Sequence, residues 1–192
     1  MHESVLAFLG KIDPVNVAGK YVVEFGAFNV NGSAREVIMP MKPAIYEGYD
    51  RIEGPGVDKV ADFGQYCRSI QELEKPHVVF CLNTLEHSKD WRCVVRNIKY
   101  LCKAGGLIVI SVPSRGFPYH NPPDFWRFSL EQIRQIFSDT KIELLEEDPQ
   151  IQGVLLRARA LAKTGTVALE EIEPDKVPMG NAADLEKIWE EL

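Results

Sequence analysis

Short apolar runs recur along the chain, and stretches with a helical hydrophobic period lie between them. The runs predict a buried strand at 21–25 and apolar strands at 77–82 and 107–112, and two further short strands are predicted at 44–49 and 57–61. The intervening stretches predict helices at 4–9, from near Asn31, at about 64–74 and at about 90–102. Strands that alternate with helices at this spacing indicate a parallel sheet that is covered on both faces.

The pattern changes in the last third of the chain. A helix is predicted at about 129–137, followed by strands at 141–148 and 151–161. The connection between these two strands is too short for a parallel crossover, so we expect an antiparallel hairpin at the end of the sheet. The predicted fold class is α/β: a doubly wound, mostly parallel seven-stranded sheet with a terminal antiparallel hairpin.

We expect one domain over residues 1–162 and an acidic tail over residues 163–192. The end of the tail places apolar side chains along one stripe of a short amphipathic helix at 183–192, namely Leu185, Ile188, Trp189 and Leu192. Docking on its own domain, a homodimer contact and a mobile tail are three alternatives for this helix, and the sequence leaves them open.

The composition of the chain disfavours two classes of partner, nucleic acids and membranes. The formal net charge of −6 over 192 residues disfavours a nucleic-acid substrate, because affinity for phosphate backbones comes mainly from lysine and arginine. No apolar run reaches the roughly 18 residues that span a bilayer, so no membrane segment is expected. The four cysteines form no C-x-x-C pair, and we expect a reduced, cytoplasmic protein.

Candidate chemistry begins with a glycine loop and an acid. Gly26 follows the first predicted strand, and Asp50 follows roughly 20 residues later, a pairing that holds ribose hydroxyls in doubly wound folds. A dinucleotide loop needs G-x-G-x-x-G, but Phe28 and Asn31 replace its second and third glycines. A phenyl ring obstructs a diphosphate more than a nucleoside without phosphates. Glu24 also suits a cationic ligand, so S-adenosylmethionine is the predicted cofactor.

Five strings support a family resemblance: EFGAFNVNGS, YEGYDRIEGPGVDKVAD, LNTLEH, LCKAGGLIVISVP and GFPYHNPPDFWRFS. In this order, over about residues 22–160, the chain resembles class I S-adenosylmethionine-dependent methyltransferases. Within these it is similar to small stand-alone methyltransferase-domain proteins related to the ubiquinone-type O-methyltransferases. The resemblance implies a Rossmann-like methyltransferase fold and S-adenosylmethionine as cofactor.

The resemblance also implies roles for the residues around the glycine loop. Gly26, Ala27 and Phe28 should border the methionine end of the cofactor, and Glu24 should support their loop. Phe28 stands where the family usually carries glycine or a small residue, which leaves open whether it impairs cofactor binding.

Further roles fall on the ends of the next three strands. The resemblance implies that Asp50, beside Arg51, accepts hydrogen bonds from both ribose hydroxyls. Asp62 and Phe63 should flank the adenine, and Asn83 should face the sulfonium. For both aspartates, the alternative is a turn or helix-cap acid.

Two histidines are candidate catalytic residues. His87 follows the fourth strand, and His120 lies in an aromatic loop after the fifth; both positions border the ligand crevice of such a sheet. For His87, a structural role beside the adjacent helix is the alternative. Arg127 in the same loop either binds an anionic acceptor or pairs with Asp124.

Part of the sequence resembles a metal-binding set. Glu86, His87 and His120 are similar to the E-x-x-E-H set, with a distant histidine, that holds a divalent metal in small-RNA 2′-O-methyltransferases. Asn83 replaces the first acid of that set and removes a charged ligand, so no metal is predicted.

The predicted function is methyl transfer from S-adenosylmethionine to a small-molecule or glycan-linked acceptor by in-line displacement. A base is needed only if the acceptor is a hydroxyl or a protonated amine. One alternative is a non-catalytic binding or scaffolding protein with the same fold. A nicotinamide-dependent oxidoreductase is disfavoured by the glycine spacing and by the terminal hairpin.

Overall fold

The computed structural model describes residues 2–30, 32–65, 74–118, 124–148 and 150–177. The α-helices within these ranges are α1 (Glu3–Gly10), α2 (Ala34–Ile38), α3 (Trp91–Leu101) and α4 (Leu130–Ile136). The strands are β1 (Tyr21–Phe25), β2 (Ile45–Asp50), β3 (Lys59–Val60), β4 (Val78–Leu82), β5 (Leu107–Pro113), β6 (Trp126–Arg127), β7 (Lys141–Asp148), β8 (Gly153–Arg159) and β9 (Asp175–Lys176). No helix of the described residues has the length and apolar character to cross a bilayer.

Most predicted elements are present, with ends shifted by one or two residues. β3 has two residues instead of the predicted 57–61, and β8 is shorter than 151–161 because Gln152 adopts a left-handed turn conformation. α2 begins at Ala34 rather than near Asn31, because the Ser33 side chain caps it by accepting from the Arg35 N–H. The helix predicted at about 64–74 falls largely outside the described residues, and that at 183–192 falls wholly outside them.

Seven strands form one sheet in the order β3-β2-β1-β4-β5-β8-β7. β1 to β5 run parallel, whereas β8 is antiparallel to both β5 and β7. The predicted terminal hairpin is confirmed, and with it the Rossmann-like methyltransferase fold. The strand order reverses between β1 and β4, and this reversal opens a crevice at the carboxyl ends of the two strands.

The sheet separates two hydrophobic cores. Alternate residues of a strand point to opposite faces, so Val23 packs in the cluster that contains Ile98 of α3, whereas Val22 packs in the cluster that contains Phe8 of α1. All residues of β1, β4 and β5 are buried, which explains why these strands are apolar apart from Glu24 in β1 and Ser111 in β5. These buried strands fix the positions of the loops at their ends.

Residues 161–177, here named the C-terminal strap, return along the domain after β8. Leu169 and Ile172 are buried in the core on the α3 side. The Arg92 guanidinium on α3 donates to the carbonyl oxygens of Leu169 (3.0 Å) and Ile172 (2.7 Å). In the strap, β9 pairs antiparallel with β6, so the strap connects α3 to the loop that follows β5. The sequence did not predict this arrangement.

Candidate functional site

A cavity of about 730 Å³ opens at the carboxyl ends of β1, β2, β3 and β4. The loops that follow these strands supply most of its lining, and His2 lines it from the start of α1. All the residues predicted to bind the cofactor line this one cavity: Glu24, Gly26, Ala27, Phe28, Asp50, Arg51, Asp62, Phe63 and Asn83. His87 lines it as well, whereas His120 lies outside the described residues.

The turn after β1 lies against the turn after β4. Gly26 has a φ of 77°, and its N–H donates to the Tyr49 carbonyl oxygen at 2.9 Å. A Cβ at Gly26 would lie closer than 3.0 Å to three atoms of the Thr84 side chain. The Thr84 hydroxyl is within hydrogen-bond distance of the Phe25 carbonyl oxygen (3.3 Å). Glycine is therefore required here both for the left-handed backbone and for the close approach of Thr84.

Asp50 ends β2 with both carboxylate oxygens held by backbone N–H groups. Oδ2 accepts from the Phe28 N–H at 3.2 Å, and Oδ1 accepts from the Ile52 N–H at 3.3 Å. The Ile52 contact is the local turn bond that the alternative interpretation expects. The Phe28 contact joins the acid to the glycine loop, so the loop and the carboxylate are fixed relative to each other at the cavity wall.

Glu24 is a buried acid within β1 that reaches the cavity. Its Oε2 accepts from the Tyr46 hydroxyl at 2.6 Å, and its residue exposure is only 3%. Burial raises the pKa of Glu24 to about 7, although the Tyr46 hydrogen bond and the Arg35 charge oppose this increase. The charge of Glu24 therefore changes near neutral pH.

Asp62 and Phe63 line the cavity beyond β3. Asp62 accepts from the Gly64 N–H (2.7 Å) and from Gln65 Nε2 (3.2 Å), so it makes the turn contacts of its own loop. The Phe63 ring stacks on Phe25 with centroids 3.8 Å apart and is 6% exposed. Most of this ring thus belongs to the core, and little of its surface is available to the cavity.

Asn83 follows β4 in the left-handed region, with a φ of 49°. Its N–H donates to the Ser111 carbonyl oxygen at 2.9 Å, and the Ser111 hydroxyl donates to Asn83 Oδ1 at 2.5 Å. Asparagine tolerates this conformation better than most residues. Sequence reasoning did not predict a role for Ser111, which is fully buried. A hydroxyl residue within the apolar strand β5, paired with the end of β4, is the sequence signal that could have indicated it.

His87 lies in a single 3₁₀ turn, Leu85–His87, after β4. Its Nε2 is 3.8 Å from Oε1 of Glu86, a fully buried carboxyl whose oxygens have no hydrogen-bond partner among the described residues. Burial raises the pKa of Glu86 to about 8, so this carboxyl is mostly protonated at neutral pH. Phe125 lines the cavity nearby, and its N–H donates to the Glu86 carbonyl oxygen at 2.7 Å.

The structure decides between the two interpretations of Arg127. Its guanidinium makes a bidentate pair with Asp124, at 2.5 and 2.7 Å, and both side chains are buried. The same guanidinium donates to the carbonyl oxygens of Phe117 (3.2 Å) and Pro118 (3.1 Å). Arg127 therefore holds the loop after β5 in place.

Three residues that sequence reasoning missed belong to this site: His2, Thr84 and Ser111. The His2 ring meets the Phe117 ring edge to face, with centroids 5.8 Å apart, and so joins α1 to the loop after β5. Nothing in the local sequence around His2 indicates this contact. Among the described residues, no three histidine, cysteine or acidic side chains form a cluster that would hold a metal ion.

The strand order β3-β2-β1-β4-β5-β8-β7, with the glycine turn and the strand-end acids at its crevice, defines a doubly wound α/β protein with a terminal antiparallel hairpin. A family model described as a methyltransferase domain matches residues 3–156. The chain therefore belongs to this family of methyltransferase domains. No curated protein sequence matches the chain.

Solved structures show the same fold at low sequence identity. A methyltransferase from Mesorhizobium loti that depends on S-adenosylmethionine is 15% identical, with a TM-score of 0.58 over 81% of this chain and 95% of that one. A putative methyltransferase from Haloferax volcanii, in complex with the activator Trm112, is 14% identical, with a TM-score of 0.62 over 82% and 89% of the two chains.

A third structure carries a bound ligand. It is the 1,6-didemethyltoxoflavin-N1-methyltransferase of Burkholderia thailandensis with S-adenosylhomocysteine, 15% identical with a TM-score of 0.54 over 83% of this chain and 77% of that one. The family and these neighbours confirm the class I methyltransferase family and imply S-adenosylmethionine as the cofactor. The narrower relation to ubiquinone-type enzymes stays a prediction.

Proposed function

We propose that the protein transfers a methyl group from S-adenosylmethionine to a small-molecule or glycan-linked acceptor. The observation that carries the proposal is the Asp50 carboxylate, fixed at the cavity wall by the N–H groups of Phe28 and Ile52. A carboxylate so placed suits the two hydroxyls of a ribose. When bound, S-adenosylmethionine supplies a methyl group on a sulfonium that is already an excellent leaving group.

The lining of the cavity fits such a ligand. A volume of about 730 Å³ lies within the usual range for small-molecule sites. Among the described lining residues, acids outnumber bases by four to two: Glu24, Asp50, Asp62 and Asp90 against Arg51 and Lys89. An acidic lining favours a ligand with sulfonium and ammonium charges over one with phosphates.

In the proposed arrangement, the chain's own residues bind and orient. Gly26, Ala27 and Phe28 border the methionine end, and Glu24 lies behind their loop. These residues lie in or directly after β1, a strand whose residues are all buried, and a firmly held loop favours alignment of the reacting groups.

The nucleoside end of the cofactor is proposed to bind to the loops that follow β2, β3 and β4. Asp50, beside Arg51, accepts from the ribose hydroxyls, while Asp62 and Phe63 flank the adenine. Asn83, fixed by Ser111, faces the sulfur.

The acceptor is proposed to bind beside His87 and Phe125, on the side of the cavity that faces the loop after β5. His87 and His120 are the proposed proton acceptors for an acceptor hydroxyl or amine. The Burkholderia neighbour is named for methylation of a small heterocycle, which supports a small-molecule acceptor for this fold. Radiolabelled methyl transfer to panels of small molecules and glycans tests this assignment, and binding without turnover would favour the non-catalytic alternative.

Calorimetry with S-adenosylhomocysteine tests the cofactor assignment. Asp50→Ala should weaken binding by about 1–3 kcal/mol, the scale for losing hydrogen bonds to a charged group. Asp13→Ala is the matched control, because Asp13 accepts a similar backbone bond from Val15 (3.0 Å) and does not line the cavity. Equal affinity in the Asp50 variant and the wild type would remove the ribose assignment.

A further inference from the structure

Phe28 occupies the position that a dinucleotide loop reserves for glycine, yet it lines the cavity and does not fill it. Its half-buried ring packs against Gly54 in the loop after β2. A Cβ at Gly54 would lie closer than 3.0 Å to two carbons of this ring, Cδ2 and Cε2. The ring is thus turned towards the loop that follows Asp50.

Gly54 is not needed for its backbone conformation. Its φ lies outside the left-handed region, unlike that of the neighbouring Gly56, which has a φ of 88°. What glycine provides at position 54 is therefore the space that the Phe28 ring occupies. Phe28 and Gly54 are therefore complementary in shape: the ring packs where Gly54 has no side chain.

The backbone of the glycine loop is closed to phosphate. The N–H groups of Gly26 and Ala27 donate to the Tyr49 carbonyl oxygen at 2.9 and 3.0 Å. The Phe28 N–H donates to Asp50, and the Asn29 N–H donates to the Pro55 carbonyl oxygen at 2.8 Å. Phosphate-binding loops work by presenting unpaired N–H groups, and from Gly26 to Asn29 each one already has a partner within the protein.

We propose that Phe28, seated on Gly54, determines the ligand specificity of the cavity. The ring forms the wall next to the ribose carboxylate, and together with the closed loop it restricts the cavity to nucleosides that lack 5′-phosphates. This inference rests on the proposed function, because it takes the nucleoside to be S-adenosylmethionine or its demethylated product. It also removes the concern that Phe28 impairs binding, since the ring is accommodated by Gly54 and offers an apolar surface to the sugar.

A mutant cycle read by calorimetry tests the proposal, with S-adenosylhomocysteine and ADP as probes. Phe28→Ala should weaken S-adenosylhomocysteine binding by about two- to tenfold, the scale of one aromatic contact. Gly54→Ala should weaken it at least as much, because the new methyl group displaces the ring. The double variant should bind like Phe28→Ala alone, since no ring is left to displace. ADP should not bind the wild type, whereas Phe28→Ala should bind it measurably, because the ring that helps to exclude a 5′-phosphate is absent.

Controls separate the possible failures. Gly10→Ala adds a methyl group at a position where a Cβ has no neighbour within 4 Å, and should leave binding unchanged. Thermal unfolding of each variant, with Phe28→Leu as a milder change, shows whether the fold is retained. Unchanged affinity in Phe28→Ala, additive losses in the double variant, or tight ADP binding by the wild type would overturn the specificity role alone. A wild type that binds no S-adenosylhomocysteine would overturn the proposed function with it.

Discussion

The two halves of the cavity are held in different ways. On the side where the nucleoside is proposed to bind, Asp50 and the glycine loop are fixed by backbone N–H groups at the ends of adjacent parallel strands. On the acceptor side, the loop after β5 is fixed by side chains: Arg127 donates to Phe117 and Pro118, and Trp126 Nε1 donates to the Ser88 carbonyl oxygen at 2.8 Å.

This difference indicates where the fold tolerates change. The contacts of the Gly26 and Ala27 N–H groups with the Tyr49 carbonyl oxygen join backbone to backbone at the ends of adjacent strands, so this part of the proposed nucleoside half follows from the topology. Side-chain contacts of a long loop are lost with a single substitution, so the acceptor half can be rebuilt while the sheet is kept. Among the described residues, the C-terminal strap contacts the loop after β5 through Arg115 with Asp175 and through β6 with β9.

The largest effect is expected for Gly26→Ala, which places a methyl group against the Thr84 side chain in the proposed nucleoside half. The left-handed backbone should cost about 1–2 kcal/mol of unfolding free energy, and overpacking against Thr84 should add about 1–3 kcal/mol. S-adenosylhomocysteine binding should be lost or greatly weakened. Urea unfolding and calorimetry give the two quantities.

Gly105→Ala isolates the backbone part of that effect. Gly105 has nearly the same φ, 78°, but a Cβ there would meet nothing within 4 Å. We expect it to show the conformational cost alone and to leave cofactor affinity unchanged. If both alanine variants lost equal stability, the contact with Thr84 would not be the reason for glycine at position 26.

A smaller effect is expected for Arg92→Ala, which releases the C-terminal strap. Three hydrogen bonds from this guanidinium, to Leu169, Ile172 and Glu173, would be lost, with a cost of about 1–3 kcal/mol of unfolding free energy. S-adenosylhomocysteine affinity should stay unchanged, because the described contacts of the strap lie on α3 and on the loop after β5, away from Asp50 and the glycine loop.

Arg96→Ala is the matched control on the same helix. Arg96 pairs with Glu170 of the strap, but both side chains are exposed, so the loss should stay below about 1 kcal/mol. A fall in cofactor affinity in the Arg92 variant would show that the two halves are coupled and would contradict the comparison drawn above.

The smallest effect is a pH dependence that belongs to the nucleoside half. Burial raises the pKa of Glu24 to about 7. Between about pH 4.5 and 7 the unfolded chain loses this proton while the folded protein keeps it, so the free energy of unfolding falls as the pH rises. A cationic ligand favours the carboxylate, so S-adenosylmethionine affinity should rise by about two- to tenfold between pH 6 and 8. Calorimetry in buffers of different ionisation enthalpy would detect the released proton. In Glu24→Gln the affinity should not vary over this range, and a pH dependence that survived there would assign the proton to another group.

Sequence reasoning reached the proposed nucleoside half because its residues lie at the ends of predicted strands of one parallel sheet. Gly26, Asp50 and Asn83 each come directly at or after an apolar run, and the topology alone brings such positions together. The order of strands does not determine the direction of a side chain. The packing of the Phe28 ring against Gly54 could therefore be seen only in the structure. The strap was missed because only scattered residues such as Leu169 and Ile172 anchor an otherwise polar stretch.

The insertion of β8 between β5 and β7 has a consequence for synthesis of the chain. β5 is a strand whose seven residues are all buried, and within the described part of the chain residues 153–159 pair along its outer edge. Those residues leave the ribosome after β7, so the nascent chain carries an uncovered apolar edge until the hairpin turns back. Such an edge is a template for association with other chains. β8, the last strand of the sheet to be synthesised, is therefore the one that protects the nascent chain from aggregation through β5.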